Sequence, residues 1–419
     1  MIPRDRDAAL TGALLGWSAA QTPGALPRDA ALSAAAGLIA ACLGLGIGLL
    51  VERGRTALGD RPGGGHRAER RFGPKTAATV AAAALALTVC WQSALRGAMG
   101  MAPIGPEWWA ATVAVPAGAV AALMWVRPRR GTIVALAVLL VAGGAGTLPG
   151  TVPAARAEAS SHLLLYAPLA GPPPSGIDMH DDDPPDIDPY DDARAARLVD
   201  RWIREGGLRE RAVVIAVPTG SGWIDAAALD GFRRRFDGSV RVLALQYSAV
   251  PSWQAYLRSP DRAGRSATAL TMRVLDALAA VPAPGRPRVH LYGQSLGAVG
   301  AEVARRRVVA RGTTPASTVL VGMPGGAPRT APATVVVENP SDPVVVLRPS
   351  LVWRPPTRRG SPHRFAHREA PTPPWLPGLS ALATVIDAAG SLDVPVGYGH
   401  RYGPEQGLVQ PSIGPRAAS

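Results

Sequence analysis

Long charge-free stretches near one end and short β-branched runs near the other divide this chain in two. Ala30 to Val51, Thr76 to Leu95, Trp108 to Val126 and Gly131 to Ala155 each lack Asp, Glu, Lys and Arg. A helix needs about 20 mostly apolar residues to cross a bilayer, and a charge at its centre costs about 3 kcal/mol. Each run therefore predicts a transmembrane helix. An earlier uncharged run, Ala8 to Pro27, contains Thr11, Ser18, Gln21, Thr22 and Pro23 and is taken as a further span. The expectation is an all-α transmembrane domain over residues 1–155 of about five helices, near 8–27, 30–51, 76–95, 108–126 and 131–150. A cleaved signal peptide fits the first run poorly, because more apolar runs follow it and no small-residue cleavage site is evident.

Beyond residue 190 the pattern changes to alternation. Ala212 to Val217 is a continuous β-branched and apolar run, as strands buried on both faces of a parallel sheet are. Val240 to Gln246, Arg288 to Tyr292, Thr318 to Val321 and Thr334 to Val337 repeat it, with helical stretches around Ala227 to Phe236, Ala263 to Ala280 and Leu296 to Arg311. This alternation predicts an α/β domain over 193–419, a mostly parallel sheet with helices on both faces. Ligands in such sheets sit at the carboxyl ends of the strands. Residues 156–192 are taken as a linker whose second half is rich in Pro and Asp, solvated rather than built around a cation, since the glycine and final glutamate of an EF-hand loop are missing. Asp191 or Asp192 is the expected cap of a helix that carries Leu198, Trp202 and Ile203 and stops at Gly206 and Gly207.

Charge orients the first domain. Lys and Arg collect on the cytoplasmic side of membrane proteins, and Arg53, Arg55, Arg61, Arg67, Arg70, Arg71 and Lys75 crowd one loop, with Arg127, Arg129 and Arg130 in another. Both loops inside places the α/β domain outside the cell, in a multi-pass protein of the cell membrane. Trp17, Trp91, Trp108, Trp109 and Trp125 lie near predicted span ends, where interfacial anchors belong, although helix packing also accounts for them. The absence of intramembrane carboxylates and histidines argues against a transporter. The 44 basic residues exceed the 31 acidic ones, but Lys75 is the sole lysine and the arginines are scattered, so the excess points to composition bias and not to a nucleic-acid surface. Cys42 and Cys90 both precede residue 91, which leaves the α/β domain without a disulfide, a zinc-thiolate site or a cysteine nucleophile.

Chemistry concentrates after the strands. Gly293, Gln294, Ser295, Leu296 and Gly297 form GxSxG between a predicted strand and a predicted helix, the context that a nucleophile elbow requires. With 47 glycines in the chain the string alone is weak, and a glycine turn with an incidental serine is the plainer reading. A serine needs a base oriented by a carboxylate. Asp342, in the turn after Thr334 to Val337, and His400, in a glycine-flanked loop, follow in the order nucleophile, acid, histidine. Asp387 and Asp393 are alternative acids. The amide of Leu296 and one from Gly220 or Ser221, in the glycine-rich run after the first strand, are the expected oxyanion donors. Trp223, Tyr247 and Trp253 are candidates for an acyl pocket, with core packing the commoner role of such aromatics. His290 belongs to a buried strand, and His363 and His367 to a basic loop. No pair has metal-ligand spacing, no P-loop or GxGxxG is present, and neither cofactor nor nucleotide is expected.

Together PTGSGW (218–223), QYSAVPSW (246–253), GQSLGA (293–298), NPSDPV (339–344) and GHRYG (399–403) resemble a bacterial, actinobacterial-type family of membrane-anchored α/β-hydrolases with a multi-span N-terminal domain. The resemblance implies an α/β-hydrolase fold with Ser295, Asp342 and His400 as the triad. Gln294 stands where that family is expected to have an acidic residue, Tyr398 where it often has a further histidine, and the connection from Val321 to Thr334 is short, leaving less of a lid. The expected function is a membrane-tethered serine esterase or lipase-like enzyme, with the lipid bilayer and an acyl or lipid-like substrate as its partners. Acyl transfer by the same triad, or a non-catalytic hydrolase-like binding module, are the alternatives.

Overall fold

The computed structural model describes residues 3–58, 73–125, 162–169, 188–250, 254–255, 258–259, 261–327, 331–356 and 370–410. The chain forms two compact units, one comprising Met1–Gly150, Leu347–Pro356 and Arg368–Pro395, the other Thr151–Val346, Thr357–His367 and Val396–Ser419.

The first unit begins with helices α1 (Pro3–Ala20), α2 (Ala30–Ala57), α3 (Pro74–Met99) and α4 (Pro106–Trp125), the last with a π-helical turn at Ala110–Ala114. Local chemistry sets their ends. Asp29 caps α2 by accepting from the Leu32 amide at 2.7 Å, Pro74 and Pro106 open the next two helices, and left-handed Gly100 closes α3. Among the described residues α2, α3 and α4 are long and apolar enough to cross a membrane. The predicted first span is shifted: α1 starts on the charged Arg4–Asp7 stretch and ends at Ala20, because Pro23, Gly24 and Pro27 cannot continue a helix. The predicted span 131–150 lies outside the described residues. The helices α1 and α2 meet through glycines. A Cβ on Gly12 or Gly44 would lie 2.1 Å from the other's carbonyl oxygen, and one on Gly16 2.1 Å from that of Ala40. Such small-residue spacing lets backbones approach closely, the means by which helices associate in lipid.

The second unit is a six-stranded, wholly parallel sheet in the order β1-β3-β2-β4-β5-β6. Its elements are β1 (Leu164–Ala167), α5 (Pro189–Arg204), β2 (Ala212–Val217), α6 (Ala226–Arg235), β3 (Val240–Leu245), α7 (Asp261–Ala279), β4 (Arg288–Gln294), α8 (Leu296–Ala310), β5 (Ser317–Val321) and β6 (Thr334–Val337). The edge strand β1 lies within 156–192, a stretch whose sequence reads as a linker. Helix α5 is capped by Asp188, not by Asp191 or Asp192; Pro189 takes the first helical position, and Asp191 is buried in the first turn, 2.8 Å from Arg194. Alternate residues of β2 enter two core layers. Val213, Ile215 and Val217 pack with Leu198, Trp202, Leu270 and Ala301, whereas Ala212, Val214 and Ala216 pack with Leu229, Phe232 and Tyr402. Because β3 and β4 flank β2 on opposite sides, the topological switch point falls between β2 and β4. Ligands bind at such points, beyond the carboxyl ends of the strands.

Away from that edge, His290 of β4 is 3% exposed, with Nδ1 2.7 Å from Ser317 Oγ and its ring against Phe236. Burial, helped by the nearby Arg235 and Arg288, pushes its pKa down to about 3. An unfolded histidine takes its proton near pH 6.5, so between about 6.5 and 3 the unfolded state binds more protons and stability falls as pH falls, by about 1.4 kcal/mol per unit. His290→Asn retains a polar partner for Ser317 and has nothing to titrate. Thermal unfolding of the two proteins at pH 6.5 and 5 should show the wild type losing about 2 kcal/mol more; equal losses would contradict this account.

Following β6, the helix α9 (Leu379–Ala389) belongs to the first unit.

Candidate active site

Serine 295 occupies the turn from β4 into α8 with φ 55° and ψ −127°, a left-sided conformation that non-glycine residues adopt only where the surroundings enforce it. Its amide donates to the Val321 carbonyl at 2.9 Å, and its carbonyl accepts from the Ala298 amide at 2.9 Å. The flanking glycines are sterically required. A Cβ on Gly293 would lie 2.1 Å from the Gly297 carbonyl oxygen, and one on Gly297 2.2 Å from that of Val217. Ser295 is half-buried, and Leu296 opens α8 beside it.

Asp342 and His400, 58 residues apart in sequence, are brought together: His400 Nδ1 lies 2.7 Å from Asp342 Oδ2. With a carboxylate on Nδ1, the neutral imidazole carries its proton there and leaves Nε2 as an acceptor. Nε2 is buried and has no hydrogen-bond partner among the described residues, the Ser295 hydroxyl included. The turn Val321–Gly322 joins the two sites, since Val321 holds the Ser295 amide and Gly322, at φ 53°, leaves room for the imidazole; a Cβ there would meet His400 Cε1 at 2.6 Å. Next to Ser295, the amide of buried Gln294 reaches the His400 carbonyl at 3.4 Å, so the residue where the family pattern expects an acid faces a backbone oxygen that a carboxylate would repel.

Several partners are not among the residues that the local sequence reading singles out. The Tyr402 hydroxyl donates to Asp342 Oδ2 at 2.6 Å, and the Val344 amide donates to Oδ1 at 2.8 Å, so both carboxylate oxygens are held. Burial, with the Asp342 carboxylate beside it, raises the Tyr402 phenol well above its ordinary pKa, which keeps it a donor. Asn339 Nδ2 donates to the carbonyls of Gly399 at 3.0 Å and Arg401 at 3.1 Å, and Ser341 Oγ accepts from the Gly399 amide at 2.9 Å. These residues lie in the NPSDPV and GHRYG runs, which could have marked them as a clamp between two loops. Of the alternative acids, Asp387 is in the first unit, bonded to the Ala25 amide at 2.5 Å and 3.4 Å from Arg28, and exposed Asp393 belongs to the same unit, whereas His400 pairs with Asp342.

The turn after β2 abuts the elbow through the Val217 and Pro218 carbonyls. It is closed by Thr219 and Gly222, whose amides donate to Trp223 O at 3.0 Å and Thr219 O at 2.9 Å, so Gly220 and Ser221 stand at its tip and Trp223 is half-buried after it. On the far side, Gly222 touches Tyr166 and Gln246. There, at the exit of β3, a cavity of about 540 Å³ is lined by Leu169, Tyr247, Val250, Ala255, Arg258 and Arg262, among others. Tyr247 is fully buried and also part of the core, and its phenol is pushed up by burial. Trp253 lies outside the described residues.

A model of an α/β-hydrolase family matches residues 186–330 and 324–410, and the model of an α/β-hydrolase family N-terminus matches residues 21–165. No curated protein and no solved structure matches the chain.

Proposed function

Because this chain belongs to the α/β-hydrolase family, we propose that it is a membrane-tethered serine hydrolase that cleaves an ester or related acyl bond, with its α/β unit outside the cell. One observation carries the reading: an imidazole held at Nδ1 by Asp342, with Nε2 unpartnered, beside a strained elbow serine. Ser295 Oγ attacks the acyl carbonyl as His400 Nε2 takes its proton. Asp342 fixes the ring and stabilises the imidazolium, and the Leu296 amide with one from Gly220 or Ser221 stabilises the oxyanion. His400 returns the proton to the departing alkoxide, and water repeats the sequence on the acyl-enzyme. The cavity at the β3 exit, separated from the elbow by a single turn, suits an acyl chain, with Tyr247 and Trp223 as candidate walls. Arg53, Arg55 and Lys75 at one end of α2 and α3 support the orientation, since basic ends stay inside.

Labelling of membranes containing the full-length protein with a fluorophosphonate probe tests this. Wild type should label, and Ser295→Ala and His400→Ala should not. A folded wild type that remains unlabelled would overturn the reading in favour of a non-catalytic binding module.

A further inference from the structure

Between Asp342 and His400 the chain leaves the α/β unit, and the stretch Ala370 to Pro395 that it contributes to the first unit is unusual for a water-exposed surface. From Ala370 to Pro395 there are only two ionisable groups, Asp387 and Asp393. Helix α9 carries its polar side chains, Ser380, Thr384 and Asp387, along one stripe with Asp387 buried, and leaves apolar Leu379 and Val385 exposed, Val385 by 55%. By contrast α6, α7 and α8 of the sheet unit each carry several charged residues. Exposed Val352, Trp353, Leu376 and Leu392 continue the same surface, and Trp375 is fixed beside them by a hydrogen bond to the Leu351 carbonyl at 3.1 Å.

The position of α9 in its unit is set by buried polar contacts. Asp387 accepts from the Ala25 amide and faces Arg28, whose guanidinium also donates to Ala20 O at 2.6 Å and Thr22 O at 3.0 Å. The Arg28 amide donates to Gln92 Oε1, and its carbonyl accepts from Arg96 and Trp108. These residues mark the end of α1, the beginning of α2, the end of α3 and the beginning of α4, all at the end of the bundle opposite Arg53, Arg55 and Lys75. Gly390 adds a close contact to Leu32 of α2. Thus α9 is seated at the end of the bundle where the helices α1 to α4 begin or end, and its exposed apolar side is of the same kind as the outward side of α2, where Ile47 is 60% exposed. At 11 residues it spans about 16 Å, too short to cross.

We propose that α9 and its flanking residues form an interfacial element, immersed at the headgroup and upper acyl level of the membrane that α2, α3 and α4 cross, with Trp353 and Trp375 as its aromatic anchors. The inference rests on the first unit lying in a bilayer and does not depend on catalysis. Non-helical backbone beside α9 keeps it at the interface, because lipid-exposed loops do not occur within the hydrocarbon.

Nitroxide accessibility tests it on the full chain, reconstituted in phosphatidylcholine and phosphatidylglycerol vesicles after Cys42 and Cys90 are replaced by alanine. Spin labels at Val385→Cys and Leu379→Cys are compared with Leu43→Cys on the outer face of α2 and Val309→Cys on α8. Both α9 labels should collide more with oxygen than with a water-soluble nickel chelate, as Leu43→Cys should, with a smaller ratio than at Leu43→Cys. Nickel-dominated collisions at α9, matching Val309→Cys, would overturn the proposal, as would protection from both reagents, which would indicate a second protein copy covering it. A nickel-dominated Leu43→Cys would instead remove the bilayer premise itself.

Discussion

Replacing Asp342 with asparagine should lower turnover of an acyl ester about 10⁴-fold while the protein remains folded. The magnitude follows from how the carboxylate is used. Oδ2 accepts from both His400 Nδ1 and Tyr402, and Oδ1 accepts from the Val344 amide. An amide has one acceptor oxygen, so whichever way it turns, its NH₂ confronts a donor. If it faces His400, the imidazole adopts the other tautomer and presents Nε2–H to Ser295, which then has no base. If it faces Val344, a backbone donor loses its partner in a buried turn, which adds a stability cost of about 1–3 kcal/mol. Turnover with a purified ester substrate, beside the thermal transition of the same sample, separates the two effects. A loss under about tenfold with no drop in the thermal transition would mean that Asp342 does not orient the base.

Replacing Gly297 with valine should abolish fluorophosphonate labelling and destabilise the sheet unit by about 3 kcal/mol or more. The added Cβ would sit 2.2 Å from the Val217 carbonyl and 2.9 Å from that of Pro218, and both obstructing atoms are backbone at the end of a central strand. No rotamer relieves the contact, so α8 must retreat from β2, taking the elbow with it. Gly285, whose Cβ position is open, supplies the control: Gly285→Ala should leave labelling and melting temperature near those of the wild type. Thermal unfolding and labelling of both variants test this; a Gly297→Val protein that labels normally would mean that the elbow does not need the close packing seen here.

The parts of this architecture that local sequence carries are those in which one residue's neighbours along the chain determine its state. Strands β2 to β6 are legible because each is a run of β-branched and apolar residues buried on both faces. Strand β1 is four residues at an edge, ahead of an acidic stretch, and composition there speaks for the stretch. Pro189 held the signal for the true start of α5, since proline favours the first helical turn and the preceding Asp188 is then the cap. The pairing of His400 with Asp342 could be anticipated from order and turn context, but the Tyr402 hydrogen bond, the Asn339 clamp and the space at Gly322 depend on loops converging from distant positions. Asp387 shows the same limit from the other direction. Its sequence context admits a catalytic acid, and only a partner 359 residues away, Arg28, reveals a structural anchor.

The detour of the chain between Asp342 and His400 bears on how the protein can be dissected. A single cut ahead of Asp188 should not release a soluble α/β unit, because the released piece omits β1 and retains α9 with its apolar flanks, now stripped of the helices that Asp387 and Gly390 pack against. Such a fragment should aggregate through that segment while the Ser295, Asp342 and His400 loops remain on it. A version of the sheet unit alone begins before Leu163 and replaces the first-unit segments Leu347 to Pro356 and Arg368 to Pro395 with polar linkers, which keeps Thr357 to His367, the Asp342 turn and the His400 loop on one polypeptide.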